Sequence, residues 1–96
     1  MLIDSHCHIN SEELRLDARG VITRAHDAGV GKMLNVGCDY EDSCEAAGMA
    51  YDFASSGLYA SIGIHPHEAK RYEKIPDEFA NMLHDKRVVA VGEIGL

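Results

Sequence analysis

The sequence has no tryptophan, only two prolines and three cysteines among its 96 residues. The odd cysteine count, without a CxxC pair, does not fit a disulfide framework and favours a reducing compartment. We interpret Cys7, Cys38 and Cys44 as small packing residues. No apolar run approaches the roughly eighteen residues that a membrane span needs, and the segment before Asp4 lacks the basic start of a signal peptide. We therefore expect a cytoplasmic protein without a membrane partner.

Basic residues are also scarce, with nine Lys and Arg against sixteen Asp and Glu, for a formal net charge of −7. This balance argues against a broad nucleic-acid-binding surface, because phosphate contacts normally need clustered Lys and Arg. The objection is weaker at a catalytic centre, where bound divalent ions supply local positive charge. Any action on nucleic acid is therefore expected to depend on metal.

Four short apolar runs predict buried strands, and helical patterns lie between them. The predicted strands are residues 1–5, 32–37, 58–64 and 88–92. Their starts are separated by about 26 to 31 residues, the spacing of βαβ units with right-handed crossovers. Because the strands are continuously apolar rather than alternating, we expect a parallel sheet covered on both faces.

Three helical regions are expected between these strands. Asn10, with Glu13 three residues later, has the pattern of a capping box at the start of the first region. Gly29 suits the left-handed residue that ends a helix. The second apolar stripe ends near Gly57, and a third, weaker one opens after Pro76. The pattern indicates an α/β domain of parallel βα units.

The most informative motif is Asp4-Ser5-His6-Cys7-His8, at the end of the first predicted strand. In an extended strand, side chains two residues apart point the same way. His6 and His8 therefore present two imidazoles to one side, as a divalent cation requires. Asp4 lies on the same side, one alternation deeper, and is expected to orient an imidazole by accepting its N–H.

Two further polar clusters follow later strands: His65 and His67 on either side of Pro66, and Glu93 between glycines. In parallel α/β folds, function gathers at the carboxyl ends of the strands, so we expect one shared site. Two His and a Glu leave open positions for water and substrate. His65 and His67 are expected to contact an anionic substrate or transfer protons near neutral pH, unless they are simply solvated loop residues.

With these residues identified, the chain resembles the N-terminal part of the TatD family of metal-dependent deoxyribonucleases. The resemblance rests on IDSHCH at 3–8, AGV at 28–30, GIHPH at 63–67 and VGEIGL at 91–96. It implies the N-terminal half of a TIM-type (β/α)8 barrel, with about the first four strands and three helices. It also implies cleavage of DNA phosphodiester bonds by metal-activated water.

The resemblance assigns roles to the same residues. His6 and His8 would bind one metal, and Glu93 would bridge to a second. His65 would act beside the site on the substrate, and His67 would be a further substrate contact. Two divalent ions are implied, with Mg the first choice and Zn, Mn or Ni as alternatives.

Barrels of this type have roughly 250 residues, and the family's remaining ligands come from later strands. We therefore expect residues 1–96 to be one incomplete domain, an N-terminal fragment completed by a C-terminal half or by self-association. Two alternatives stay open. One is a PHP or amidohydrolase-type enzyme acting on another substrate, against which GIHPH and GEIGL argue. The other is a catalytically inactive, self-associating half-barrel with open edges and an uncovered inner face.

Overall fold

The computed structural model describes residues 1–95 and shows four parallel strands in one sheet. The strands are β1 (Leu2–Cys7), β2 (Val30–Val36), β3 (Leu58–Ile62) and β4 (Val88–Val91). Their spatial order is their order in the sequence, and each strand pairs in parallel with the next. The predicted class of parallel βα units is confirmed. The carboxyl ends of all four strands consequently lie along the same edge of the sheet.

Helices form the connections between consecutive strands. They are α1 (Glu12–Arg15), α2 (Ala18–Asp27), α3 (Tyr40–Asp52) and α4 (Glu78–Met82), with short 3-10 turns at Ala54–Ser56 and Ala69–Arg71. The first predicted helical region is therefore two helices, where one was expected. Each is too short or too polar to cross a membrane, as far as residues 1–95 show.

Asn10 was predicted to cap the first helix, and this is wrong. Ser11 is the residue that precedes α1, and it makes no side-chain capping bond. Asn10 is instead 1% exposed, and its side-chain amide donates hydrogen bonds to the Val36 carbonyl and the Asp42 carboxylate. The polar side chain is buried because it joins two loops, which the capping pattern alone does not reveal.

The core lies between α2, α3 and the two central strands. Small residues allow α3 to approach β3 closely, since Ala46, Ala50 and Ala60 are all fully buried. Leu58, also fully buried, packs in a neighbouring cluster with Ile22 and other apolar side chains. Burying one such leucine side chain contributes about 1.5–3 kcal/mol. This packing fixes the central strands and, through them, the loops at their carboxyl ends.

The expectation that all strands are covered on both faces is wrong for β1 and β4. Leu2 and Ile3 are each 62% exposed, and Val89 and Val91 are each 56% exposed. The physical reason is position, because β1 and β4 are the edges of the sheet while α3 packs mainly against β3. Apolar side chains on the edge strands therefore remain exposed in the part of the chain that the structure describes.

Gly29 ends α2 as expected. Its φ of +96° lies in the left-handed region, which a residue with a side chain adopts at a cost. The turn delivers the chain directly into β2, and the backbone N–H of Leu2 in β1 donates to the Gly29 carbonyl at 2.8 Å. This residue therefore links the end of a helix to the first strand pair.

Candidate metal centre

The three polar clusters meet at the carboxyl edge of the sheet. His6 lies near the end of β1 and His8 directly follows it, His65 follows β3, and Glu93 follows β4. Since the strands are parallel, their carboxyl ends converge on one region. Within residues 1–95, His6, His8 and Glu93 are the one group of three such side chains close enough to hold a common metal ion.

Their ligand atoms form a compact triangle. The Nε2 atoms of His6 and His8 are 3.2 Å apart, and they lie 3.5 and 3.7 Å from Oε2 of Glu93. Ligands placed about 2.1 Å from a tetrahedral ion are separated by about 3.4 Å. The residues thus fit one divalent cation.

His8 is held so that the ring nitrogen facing His6 and Glu93 is left free. Its Nδ1 lies 3.0 Å from the Val36 carbonyl oxygen, and because a carbonyl only accepts, Nδ1 must carry the proton. The neutral ring then has a bare lone pair on Nε2, the atom that faces His6 and Glu93. This arrangement of a ligand imidazole bonded to a backbone carbonyl is common around protein metals.

His65 has the opposite tautomer. The backbone N–H of His67 donates to its Nδ1 at 3.0 Å, so the neutral ring carries its proton on Nε2. That Nε2 lies 3.8 Å from Oε1 of Glu93. His65 therefore presents a hydrogen-bond donor to the site, whereas His8 presents a lone pair. The geometry separates a residue suited to a substrate oxygen from one suited to a metal.

His67 and Asp4 do not belong to the triangle of ligand atoms, and each contacts a neighbouring histidine. The His67 ring is exposed, with its centroid 4.8 Å from that of His65. Asp4 accepts a hydrogen bond from the backbone N–H of His6 at 3.1 Å, not from an imidazole. Short Asp side chains commonly bond the backbone two residues on. The orienting role predicted for Asp4 is filled, on His8, by the Val36 carbonyl.

Glu93 is fixed by the loop after β2, residues 37–39. Its backbone N–H donates to the Gly37 carbonyl at 2.8 Å, and the Cys38 thiol lies 3.5 Å from its Oε2. Partial burial, and then the hydrogen bond to Glu93, raise the pKa of Cys38 to about 12. Near neutral pH, Cys38 is therefore a thiol that donates to the carboxylate.

This contact of Cys38 was missed by the sequence analysis, which treated all three cysteines as packing residues. The residue follows β2 at the same edge as the other clusters, and that position was the available signal. Cys44 was also misjudged, because it is exposed. Cys7 fits the packing interpretation: its thiol donates to the Leu34 carbonyl at 3.3 Å, and burial raises its pKa to about 11.

Gly63 allows β3 and β4 to come together at the site. A Cβ built on this residue would lie 2.7 Å from the Glu93 carbonyl oxygen and 2.7 Å from the Gly92 carbonyl carbon. Real Cβ atoms do not approach backbone so closely. The missing side chain is thus what lets the Glu93 backbone cross over the end of β3.

The chain is similar to known proteins over nearly its whole length. The family model described as TatD related DNase matches residues 3–96. The uncharacterized metal-dependent hydrolase YjjV of Escherichia coli K12 is 33% identical over 98% of this chain. A 3'-5' ssDNA/RNA exonuclease TatD from Cronobacter turicensis is 35% identical over 99% of it.

A solved structure extends the likeness to the fold. The crystal structure of YjjV, a TatD homologue from E. coli K12, matches 99% of the chain with a TM-score of 0.79 and 32% identity. The chain spans 37% of that structure and 36–37% of the two relatives above. Sequence and fold agree, and the chain belongs to the TatD related DNase family.

Proposed function

We propose that this chain carries the N-terminal metal-binding part of a divalent-metal-dependent nuclease that hydrolyses DNA phosphodiester bonds. The observation that carries the proposal is the convergence of His6, His8 and Glu93 within 3.2–3.7 Å of one another. Support for the substrate comes from relatives named as exonucleases on single-stranded DNA and RNA. The cytoplasmic location stays a prediction.

His6, His8 and Glu93 would hold the first cation. When bound, divalent ions supply an activated water and a Lewis acid for the phosphate oxygens. Two ions are proposed because Glu93 turns different oxygens to different neighbours: Oε2 toward His6 and His8, and Oε1 toward His65. The Glu93 carboxylate could thus bind one ion through each of its two oxygens. Mg is the first choice, with Zn, Mn or Ni as alternatives.

His65 would act on the substrate through its Nε2–H. A donor beside the metal ligands can bond a non-bridging phosphate oxygen, where negative charge increases during attack by water. His67 lies at the outer side of His65 and is proposed as a contact for the next phosphate along the strand. The net charge of −7 makes these interactions dependent on cations in the site.

Metal binding can be tested on the purified chain with Co²⁺, whose absorption spectrum reports the coordination geometry. We expect saturable binding that His8→Ala weakens by at least about 100-fold, because this removes one of few ligands. His84→Ala is the matched control, since His84 is exposed and lies after α4. Equal affinity in the two variants would contradict the proposed centre.

Hydrolysis can be tested with end-labelled single-stranded DNA and Mg²⁺. We expect shortening of the strand that EDTA abolishes and that Glu93→Gln reduces by at least about 100-fold, because one carboxylate oxygen becomes a non-ligating amide nitrogen. Cleavage by the purified protein that is unchanged in Glu93→Gln would come from a site that does not use this carboxylate. Such a result would contradict the nuclease assignment.

A second candidate is a self-associating half-barrel without catalysis. The observation that favours it is the exposed apolar surface of the edge strands, which includes Leu2, Ile3 and Val91. Surfaces of this kind promote association. The mass of the chain in solution, measured by light scattering during gel filtration, tests this candidate. Metal binding together with an oligomeric mass and no DNA cleavage would support it over the nuclease.

A further inference from the structure

Residues 36–38, at the end of β2 and just after it, contact the three loops that carry His8, His65 and Glu93. None of residues 36–38 is one of the three proposed metal ligands. The Val36 carbonyl accepts from Nδ1 of His8 at 3.0 Å. The Gly37 carbonyl accepts from the backbone N–H of Glu93 at 2.8 Å, and the Cys38 carbonyl accepts from that of His65 at 2.7 Å. Three consecutive carbonyls therefore fix the positions of the three functional loops relative to one another.

The Asp42 side chain contacts two of these residues, Cys38 directly and Val36 through Asn10. Oδ2 of Asp42 accepts from the Cys38 backbone N–H at 2.9 Å. Its Oδ1 accepts from the side-chain amide of Asn10, which also donates to the Val36 carbonyl at 3.3 Å. Asp42 thereby connects the loop after β1, which carries His8, to the loop after β2.

This role is separate from helix capping. The N-terminus of α3 is capped by Asp39, whose Oδ1 accepts from the Asp42 backbone N–H at 2.7 Å. Both side-chain oxygens of Asp42 remain for the two loops. A carboxylate suits this position because it only accepts, and both loops offer N–H donors. An amide would place its own N–H₂ group against one of those donors.

We propose that Asp42 is a positioning residue of the metal centre, which sets the orientation of His8 and His65 through residues 36–38. The consequence for metal affinity rests on the proposed function, whereas the consequence for the imidazole tautomers does not. Partners of this kind, one step removed from the ligands, commonly change metal affinity about 10–100-fold when they are lost.

The test compares Asp42→Asn with Glu41→Gln. Both remove one negative charge from the first turn of α3 and so change its dipole interaction alike, but Glu41 is exposed. We expect Co²⁺ to bind about 10–100-fold more weakly to Asp42→Asn, while Glu41→Gln stays within about twofold. Equal changes in the two variants would overturn the proposal.

A second readout needs no metal. Long-range ¹H–¹⁵N spectra of the histidine rings should show the Nδ1–H form of His8 and the Nε2–H form of His65 in the parent protein and in Glu41→Gln. In Asp42→Asn, we expect a mixture of both forms at His8, whose Nδ1 bonds the Val36 carbonyl, while His65 keeps the Nε2–H form that the His67 backbone N–H imposes. Unchanged tautomers there would overturn the proposal. If the parent protein does not bind Co²⁺, the proposed function fails, and the tautomers still decide the role of Asp42.

If Asp42→Asn does not fold, Asn10→Ala carries the same test. Among the described residues, Oδ1 of Asn10 is buried without a hydrogen-bond partner, so the substitution also removes an unsatisfied acceptor and limits the loss of stability. It removes the link through which Asp42 reaches Val36, because the Asn10 amide donates both to Asp42 and to the Val36 carbonyl, and it leaves the bond between Asp42 and Cys38 in place. We expect about threefold weaker Co²⁺ binding and a shifted His8 tautomer. Parent-like behaviour in both readouts would overturn the proposal.

Discussion

The His67 backbone N–H donates to Nδ1 of His65 over 3.0 Å. This single bond places the ring proton of the neutral His65 on Nε2, which faces Glu93. His8 is oriented the other way, with Nδ1 bonded to a carbonyl and Nε2 bare. Two histidines that look alike in the sequence therefore carry different chemistry, because different backbone groups hold them.

His65→Ala is expected to separate substrate action from metal binding. Since His65 presents an N–H rather than a lone pair, its loss should leave Co²⁺ affinity within about threefold, while DNA cleavage falls by about 10²-fold. His6→Ala should lose both Co²⁺ affinity and DNA cleavage. Calorimetry with Co²⁺ and the end-labelled DNA assay measure the two quantities. Loss of metal affinity in His65→Ala equal to that in His6→Ala would show that His65 is a ligand.

Two Gly→Ala substitutions should change stability in opposite directions. A Cβ would meet open space at both Gly29 and Gly48, but Gly29 has a φ of +96° and Gly48 lies inside α3. We expect Gly29→Ala to lower the free energy of unfolding by about 1 kcal/mol and Gly48→Ala to raise it by about 0.5–1 kcal/mol. Urea denaturation measures both. Shifts of the same sign would contradict the backbone argument.

Burial of Leu58 gives a prediction about the core. Leu58→Ala should lower the free energy of unfolding by about 2–5 kcal/mol, because a fully buried side chain is replaced by a cavity. Leu16→Ala makes the same chemical change at a side chain that is 91% exposed. It should stay within about 0.5 kcal/mol. If the two variants lost equal amounts of unfolding free energy, β3 would not be central to the core.

The cysteines should differ in their reaction with Ellman's reagent at about pH 8. Cys44 is exposed and should react first. Cys7 should react slowly, because its thiol bonds the Leu34 carbonyl and its pKa is raised by burial to about 11. Cys44→Ser should remove the fast phase, and denaturant should make the remaining thiols react alike. A fast phase that survives Cys44→Ser would contradict this order.

The sequence was sufficient for the class of parallel βα units and for bringing His6, His8 and Glu93 to one edge of the sheet. Continuous apolar runs at βαβ spacing predicted parallel strands, and parallel strands bring their carboxyl ends together. The two-residue spacing of His6 and His8 then predicted a shared direction. These inferences succeeded because they depend on local periodicity, which neighbouring residues determine.

The predictions that were wrong concern features that depend on contacts between residues distant in the sequence. Whether β1 and β4 are covered is decided by what packs on the sheet, not by the composition of the strands. Asn10 has the pattern of a cap, yet its partner Asp42 lies 32 residues away. Cys38 likewise meets Glu93 across 55 residues. No local pattern in the sequence encodes such pairs.

The close crossing at Gly63 has a consequence for how substitutions at this site would be tolerated. A complete mutational scan should find residue 63 as intolerant as the proposed metal ligands, because any side chain there displaces the backbone that carries Glu93. Gly63 contributes no functional group. A search for functional residues that considers only reactive side chains would pass over it, while a genetic screen would rank it beside His6 and His8.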